Sequence, residues 1–192
     1  MLHTAIDGRS ERLGRDDVAL AGPLGALVRE VASACDGPPA AMQPRLTAAL
    51  AAAAADPALV TAAQCRPQAE CYARHVLYGD PDGRFTVLAL VWRPGQFSPP
   101  HAHHTWCAYA VRAGALSETL YAFDGATSTA RPLREAARTA GYVCFAEAGL
   151  DQIHRLGNSG AEPAMSIHVY GVARERVATH VNRMLEVAPP ER

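Results

Sequence analysis

The sequence predicts a mainly β protein, an antiparallel sandwich or barrel preceded by α-helices. Three observations carry that reading. Residues 1–65 place apolar side chains at helical spacing and are rich in alanine. From about Cys71 the chain breaks into short β-type runs. Clusters such as Gly79-Asp80-Pro81-Asp82-Gly83 and Arg93-Pro94-Gly95 punctuate those runs as turns, and seven or more strands so spaced read as a sandwich or barrel.

Taken in order, Val18, Leu20, Leu24, Leu27, Val28 and Val31 recur at roughly helical spacing from Asp16 to about Ala34, as one or two amphipathic helices would place them. Asp16 or Asp17 is available as N-cap, and Gly37-Pro38-Pro39 is the terminator. An alanine-rich helix is expected from about Arg45 to Ala55, and Asp56-Pro57 ends it or opens a short third helix. Strands are expected at Tyr72 to Tyr78, Phe85 to Trp92, Thr105 to Val111, Leu116 to Phe123, Gly141 to Phe145, Ile153 to Leu156 and Met165 to Tyr170. The stretch from Ala173 to Leu185 fits a strand or a short helix. The whole reads as one domain over 1–192: a helical segment (1–65), a β-barrel core (70–172) and a C-terminal extension (173–192).

The formal net charge is −1 with both signs mixed, which argues against a nucleic-acid groove or a membrane surface as partner and for a small ligand. All eighteen basic residues are arginine, a coding bias without functional content. The five cysteines are scattered with no CxxC, so a reducing cytoplasm is expected rather than a disulfide framework or a zinc knuckle. No run approaches the length of a membrane span, and the N-terminus has no signal-like apolar core. A monomer or small homo-oligomer is expected.

His101-Ala102-His103 is the chemically informative element, because residues i and i+2 of a strand share a face and set two imidazoles side by side as metal ligands. His104 points the other way and is expected to play a structural or supporting role. Gly95, His101-Ala102-His103, Cys107 and Gly114 resemble the first cupin motif, with cysteine where the motif carries its acidic ligand. Gly141, Glu147-Ala148-Gly149, His154 and Asn158 resemble the second, with Glu147 where a proline is usual and two extra residues before the histidine. That resemblance implies a double-stranded β-helix, or jelly-roll barrel, with His154 as the third ligand. Three neutral imidazoles without a carboxylate leave a divalent ion its full charge and open positions, suiting a substrate that brings its own negative charge; imidazole alone suits iron, zinc, copper or nickel.

With cysteine at position 107 the chain resembles the cysteine dioxygenase type I family, the cupin thiol dioxygenases. Cys71-Tyr72-Ala73-Arg74, RFTVLALVWRPGQ, RAGALSETLY, QIHRLGN and EPAMSIHVYG carry the likeness in order, over about Tyr72 to Gly171. The resemblance implies Fe(2+) on His101, His103 and His154 and conversion of a thiol to a sulfinic acid with both atoms of O2. It implies a relay of Ser166, His168 and Tyr170, whose i, i+2, i+4 alternation fits a hydrogen-bonded row on one strand face. It also implies substrate binding by Tyr72 and Arg74, the guanidinium forking onto a carboxylate. Cys107 and Tyr170 match the pair that some family members join as a thioether; the alternative is that Cys107 is a small buried hydrophobe.

In the family, arginine at position 74 goes with cysteine and glutamine with 3-mercaptopropionate, which favours L-cysteine. Gly171-Val172-Ala173 instead follows Tyr170 as in the mercaptopropionate branch, and Arg174 and Arg176 raise mercaptosuccinate as a lesser alternative. Rival readings are a zinc- or nickel-dependent cupin enzyme, and a metal-binding cupin sensor or binding module without catalysis.

Overall fold

The structure, a computed structural model, describes residues 21–188. Asp16, Asp17, Val18 and Leu20 of the expected first helix lie outside the described residues. Helix α1 spans Gly22–Cys35 and buries Leu27, Val28 and Val31, three of the residues that announced it. Helix α2 spans Pro39–Ala55, beginning six residues before the expected Arg45. Pro39 stands at the first helical position, where its fixed φ suits entry and its missing N–H is not needed. Pro44 sits inside the helix. A short 3-10 turn, Pro57–Leu59, follows as the third helical piece.

Among the described residues ten strands follow: β1 (Ala73–Gly79), β2 (Thr86–Trp92), β3 (His101–His103), β4 (Cys107–Ala113), β5 (Ala115–Asp124), β6 (Thr129–Thr139), β7 (Val143–Ala146), β8 (Gly149–Gly157), β9 (Ala164–Tyr170) and β10 (Asn182–Met184). They form two five-stranded sheets, β1-β2-β9-β4-β7 and β10-β3-β8-β5-β6, with every named pairing antiparallel. The protein is thus mainly β, a cupin double-stranded β-helix with N-terminal helices. Among the described residues no helix is long and apolar enough to cross a membrane.

The first sheet is buried on both faces, which explains the nearly continuous apolar run of β2. Val87 and Ala89, with Ile167 and Val169 of β9, pack under Leu27, Val31, Leu46 and Leu50 of the helices. Leu88, Leu90 and Trp92 turn to the opposite face and pack with Cys107, Tyr109, Tyr170 and Leu156 between the sheets. This alternation settles a choice the sequence left open, since β9 has a polar and an apolar face. Its apolar face goes under the helices, and Ser166, His168 and Tyr170 go inward.

Strand β6 was not expected. Its sequence TARPLREAART is mostly exposed and contains Pro132, tolerated because β6 is an edge strand with β5 as its one neighbour in the sheet and only an isolated bridge, Ala130 to Val187, on its outer side. The stretch Ala173 to Leu185 proves to be both alternatives in succession, a 3-10 turn at Arg174–Arg176 and then β10 beside β3. Gly114 shows why the motif glycines matter: its φ is +72°, and a Cβ there would lie 3.0 Å from Ala164.

Candidate metal centre

The second sheet brings the three expected ligands together. His101 and His103 alternate along β3 on either side of Ala102, and β8 pairs antiparallel so that His154 falls opposite His101. A register shift between His101 and His103 lets the third imidazole stand between the other two. One ring nitrogen of each lies within 4.8 Å of the others, and the ring centroids are 4.6 to 5.2 Å apart. All three residues are buried.

The ring nitrogens are sorted by their outer partners. His101 Nδ1 is 2.8 Å from the Pro99 carbonyl and His154 Nδ1 is 2.7 Å from Glu118 Oε1, so both are donors and each Nε2 keeps its lone pair. Burial, reinforced by His154, pushes His101 down to about 3 and His103 to about 2. His101 and His103 therefore stay neutral without competition from protons, and a divalent metal fits the three-histidine donor set. His104 does not support the pair: its side chain is exposed, and only its backbone is engaged, donating to Val181.

The first sheet faces this group with the relay. Ser166 Oγ is 2.8 Å from His168 Nε2, and His168 Nδ1 is 3.0 Å from Tyr170 Oη. Trp92, which the sequence did not single out, heads the row by donating from Nε1 to Ser166 Oγ at 2.9 Å. That bond orders the protons. Ser166 is fully buried, so with Trp92 donating to it, its own hydroxyl proton is satisfied only by His168 Nε2. His168 then donates from Nδ1 to Tyr170, whose own O–H remains free to donate into the cavity. Burial holds His168 well below and Tyr170 well above their ordinary values, keeping both neutral.

Tyr72, Arg74, Cys107, His168 and Tyr170 line one cavity with the three ligands, and Asn182 of β10 closes it. Tyr72 stacks on Trp92 with centroids 4.2 Å apart. Arg74 is half-buried and spends one Nη2 bond on the Val177 carbonyl at 3.2 Å, a contact supplied by the C-terminal extension. Cys107 stands directly across the β4–β9 ladder from Tyr170 and is buried. Arg174 and Arg176 do not line the cavity, which removes the observation that pointed to a second substrate carboxylate.

Glu118, like Trp92, is a residue of the site that the sequence did not single out. It is 2% exposed, bonded to His154 through one oxygen and to Arg138 Nε through the other at 2.7 Å. Burial would raise its carboxyl, but the bonds to His154 and Arg138 outweigh that and hold it below the usual carboxylate range. The available signal was an acid at the inward phase of β5, between Leu116 and Leu120. A second cavity, about 370 Å³, lies on this side of His103 and His154 and is lined by Glu118, Arg138, Tyr142 and Cys144 among others.

The family model for cysteine dioxygenase type I matches residues 45–181, which takes in every ligand and relay residue above. Among solved structures the chain is similar to a protein from Thermus thermophilus, at 22% identity over 57% of this chain and 91% of that one, with a TM-score of 0.46. It is also similar to an uncharacterized conserved protein with a double-stranded β-helix domain from Klebsiella pneumoniae, at 21% identity over 62% and 88%, with a TM-score of 0.47. A cupin 2 conserved barrel domain protein from Salinispora arenicola is similar at 20% identity over 58% and 83%, with a TM-score of 0.42.

Proposed function

The chain belongs to the cysteine dioxygenase type I family of metal-dependent cupin dioxygenases, and on that footing we propose that it is an iron-dependent thiol dioxygenase. It adds both atoms of O2 to the sulfur of a small thiol carboxylate to give a sulfinic acid, with L-cysteine as the first substrate. The observation that carries this reading is the lining of the first cavity: three imidazoles, the Arg74 guanidinium, and no carboxylate among its described residues. Such a pocket selects an anion, and a thiol carboxylate supplies negative charge at both ends.

Ferrous iron held by His101, His103 and His154 would supply, when bound, the open positions at which a thiolate and dioxygen are brought together. Other tasks belong to the chain. Arg74 fixes the carboxylate end, its remaining N–H groups forking onto two oxygens. Tyr72, held against Trp92, walls the substrate, while Leu90 and Leu156 keep water from the sulfur. Tyr170 donates its hydroxyl proton as a hydrogen bond into the space between Arg74 and the histidines, and His168 and Ser166 behind it keep that proton pointed forward. Cys107, opposite Tyr170, is the partner for a thioether, whose C–S bond would replace the Cys107 S–H and a Tyr170 ring C–H with dioxygen as the two-electron oxidant. The loss of two hydrogens in intact mass after turnover with iron, thiol and O2 reads its formation.

3-Mercaptopropionate is the second reading. It is favoured by the absence of a carboxylate to receive a substrate ammonium among the described residues of the cavity and by Gly171-Val172-Ala173 after Tyr170. Oxygen consumption by Fe(II)-loaded protein with cysteine, 3-mercaptopropionate, mercaptosuccinate and cysteamine separates the readings. Uptake is expected with one of the first two and not with cysteamine; no uptake with any of them overturns the proposal. Arg74→Ala is expected to keep iron and to weaken substrate binding by on the order of 100-fold, the loss of about 3 kcal/mol of charge-assisted hydrogen bonding. His154→Ala is expected to lose the metal, and an iron-replete His154→Ala protein would sink the ligand assignment.

A further inference from the structure

We infer that Glu118 supplies, from behind His154, the negative charge that a two-histidine, one-carboxylate centre carries among its ligands, and that Arg138 limits how much of that charge reaches the metal. The inference rests on the three histidines holding a metal, as proposed above, and is independent of which thiol is oxidised.

The acidic position of the first cupin motif is Cys107 here, a neutral group whose thiol burial pushes well above its ordinary value. The three ligands alone make a centre without compensating charge. A carboxylate stands instead behind one of the ligands: Glu118 Oε1 accepts from His154 Nδ1 at 2.7 Å, in a site where Glu118 is 2% exposed. A carboxylate at that distance in a dry interior fixes the tautomer, so Nε2 faces the other two histidines. It also draws the Nδ1 proton toward itself and makes the ring a stronger electron donor. His101, whose Nδ1 meets only a peptide carbonyl, receives no such charge.

The second oxygen of Glu118 is as tightly engaged, by Arg138 Nε at 2.7 Å. Arg138 comes from the edge strand β6, its side chain is 14% exposed, and its guanidinium is steadied over the Tyr142 ring at 4.3 Å from the centroid. A cation on one carboxylate oxygen withdraws charge from the other. Glu118 and Arg138 therefore act on the metal in opposite directions, the expectation that separates positioning and charge supply from a buried ion pair that only holds β5 to β6.

Metal affinity read with Co(II) against a chelator, without thiol or oxygen, tests this, together with the Fe(III)/Fe(II) reduction potential. Glu118→Gln keeps the shape and removes the charge. It is expected to weaken Co(II) binding by about 10- to 100-fold, the usual effect of losing an outer partner of a ligand histidine, and to raise the potential. Arg138→Gln, which removes the cation from the second oxygen of Glu118, is expected to tighten Co(II) binding a few-fold and lower the potential. Should Glu118→Gln not fold, the sign for Arg138→Gln decides alone. Weaker or unchanged binding in Arg138→Gln, or unchanged binding in a folded Glu118→Gln, overturns the inference. Tight Co(II) binding with no thiol oxidation would instead refute the proposed reaction and leave this inference standing.

Discussion

Trp92 decides which way the protons run in the Ser166–His168–Tyr170 row. Remove its N–H and Ser166 Oγ loses the donor that forces its own proton onto His168, so the row is free to reverse and the Tyr170 hydroxyl to donate back to His168 Nδ1 instead of into the cavity. Trp92→Phe, which keeps an aromatic face for Tyr72, is expected to lower kcat by about tenfold with KM little changed, one hydrogen bond of about 1.4 kcal/mol in the transition state. A raised KM at constant kcat would count against the role. The same row sets a pH expectation. Burial moves His168 well below and Tyr170 well above their ordinary values, so neither titrates in the working range. A pH profile of kcat should show no imidazole inflection between about pH 6 and 8, where an unperturbed histidine with pKa near 6.5 would give one. An inflection there that disappears in His168→Gln would overturn it. The row was legible through the family resemblance, and alternation agreed with it, because i, i+2 and i+4 on a strand share a face. Trp92 was not, because its partner lies across the β2–β9 ladder, close in register only once the strands are paired.

Elements were legible where the pattern of burial matches their own period, and illegible where a neighbour overrides it. Strand β9 alternates polar and apolar residues, and both faces prove buried; only the helices stacked on the sheet show which is which. Strand β6 has no apolar face to announce it and exists because β5 offers it a ladder. The turn between β1 and β2 was read from Gly79-Asp80-Pro81-Asp82-Gly83, but not what it holds. The Asp80 carboxylate, in a side chain 2% exposed, accepts from Arg84 Nε at 2.8 Å, from Nη2 at 2.9 Å and from the Arg84 backbone N–H at 3.1 Å. Arg84 also reaches Asp36 at the end of α1, 2.9 Å away, tying the helices to the first sheet. Asp80→Asn is expected to destabilise the protein by about 2 kcal/mol in urea unfolding, the loss of charge-assisted bonds to a buried group. The bond to Arg84 depresses the folded-state pKa of Asp80, so its contribution is present above the unfolded value of about 4 and lost as the pH falls through the folded one. The gap between wild type and Asp80→Asn should therefore close in acid, and a gap constant down to about pH 2 would refute the assignment.

At the scale of the molecule, the candidate site is the contact between two sheets. The ligands His101, His103 and His154 belong to one, and Cys107, Arg74 and the Ser166–His168–Tyr170 row to the other. Motif spacing pointed to the histidines and the family resemblance to the other half, but Glu118 and Arg138 could not be read because their meaning depends on β5 lying between β8 and β6. Packing four imidazoles into the dry space between sheets has a thermodynamic consequence. Burial lowers His101 to about 3, His103 to about 2 and His168 well below its ordinary value. The unfolded chain takes up protons at these histidines near pH 6.5, while the folded, metal-free protein does not. Between about pH 6.5 and 3 the unfolded state binds more protons, so stability rises with pH across that window and falls as acid is added. The Tm of metal-free protein is accordingly expected to drop from about pH 7.5 to pH 5, and His168→Gln should show a shallower drop because one of the protonating groups is gone. Co(II) at about 100 times its Kd should raise stability by about 2.7 kcal/mol at pH 7.5. The gain should be little smaller at pH 5, because His101 and His103 stay neutral there in the folded protein and protons do not displace the metal from them. A metal-free Tm that is flat between those two pH values would mean that the histidines are not held neutral between the sheets, and the metal centre as described would fall with it.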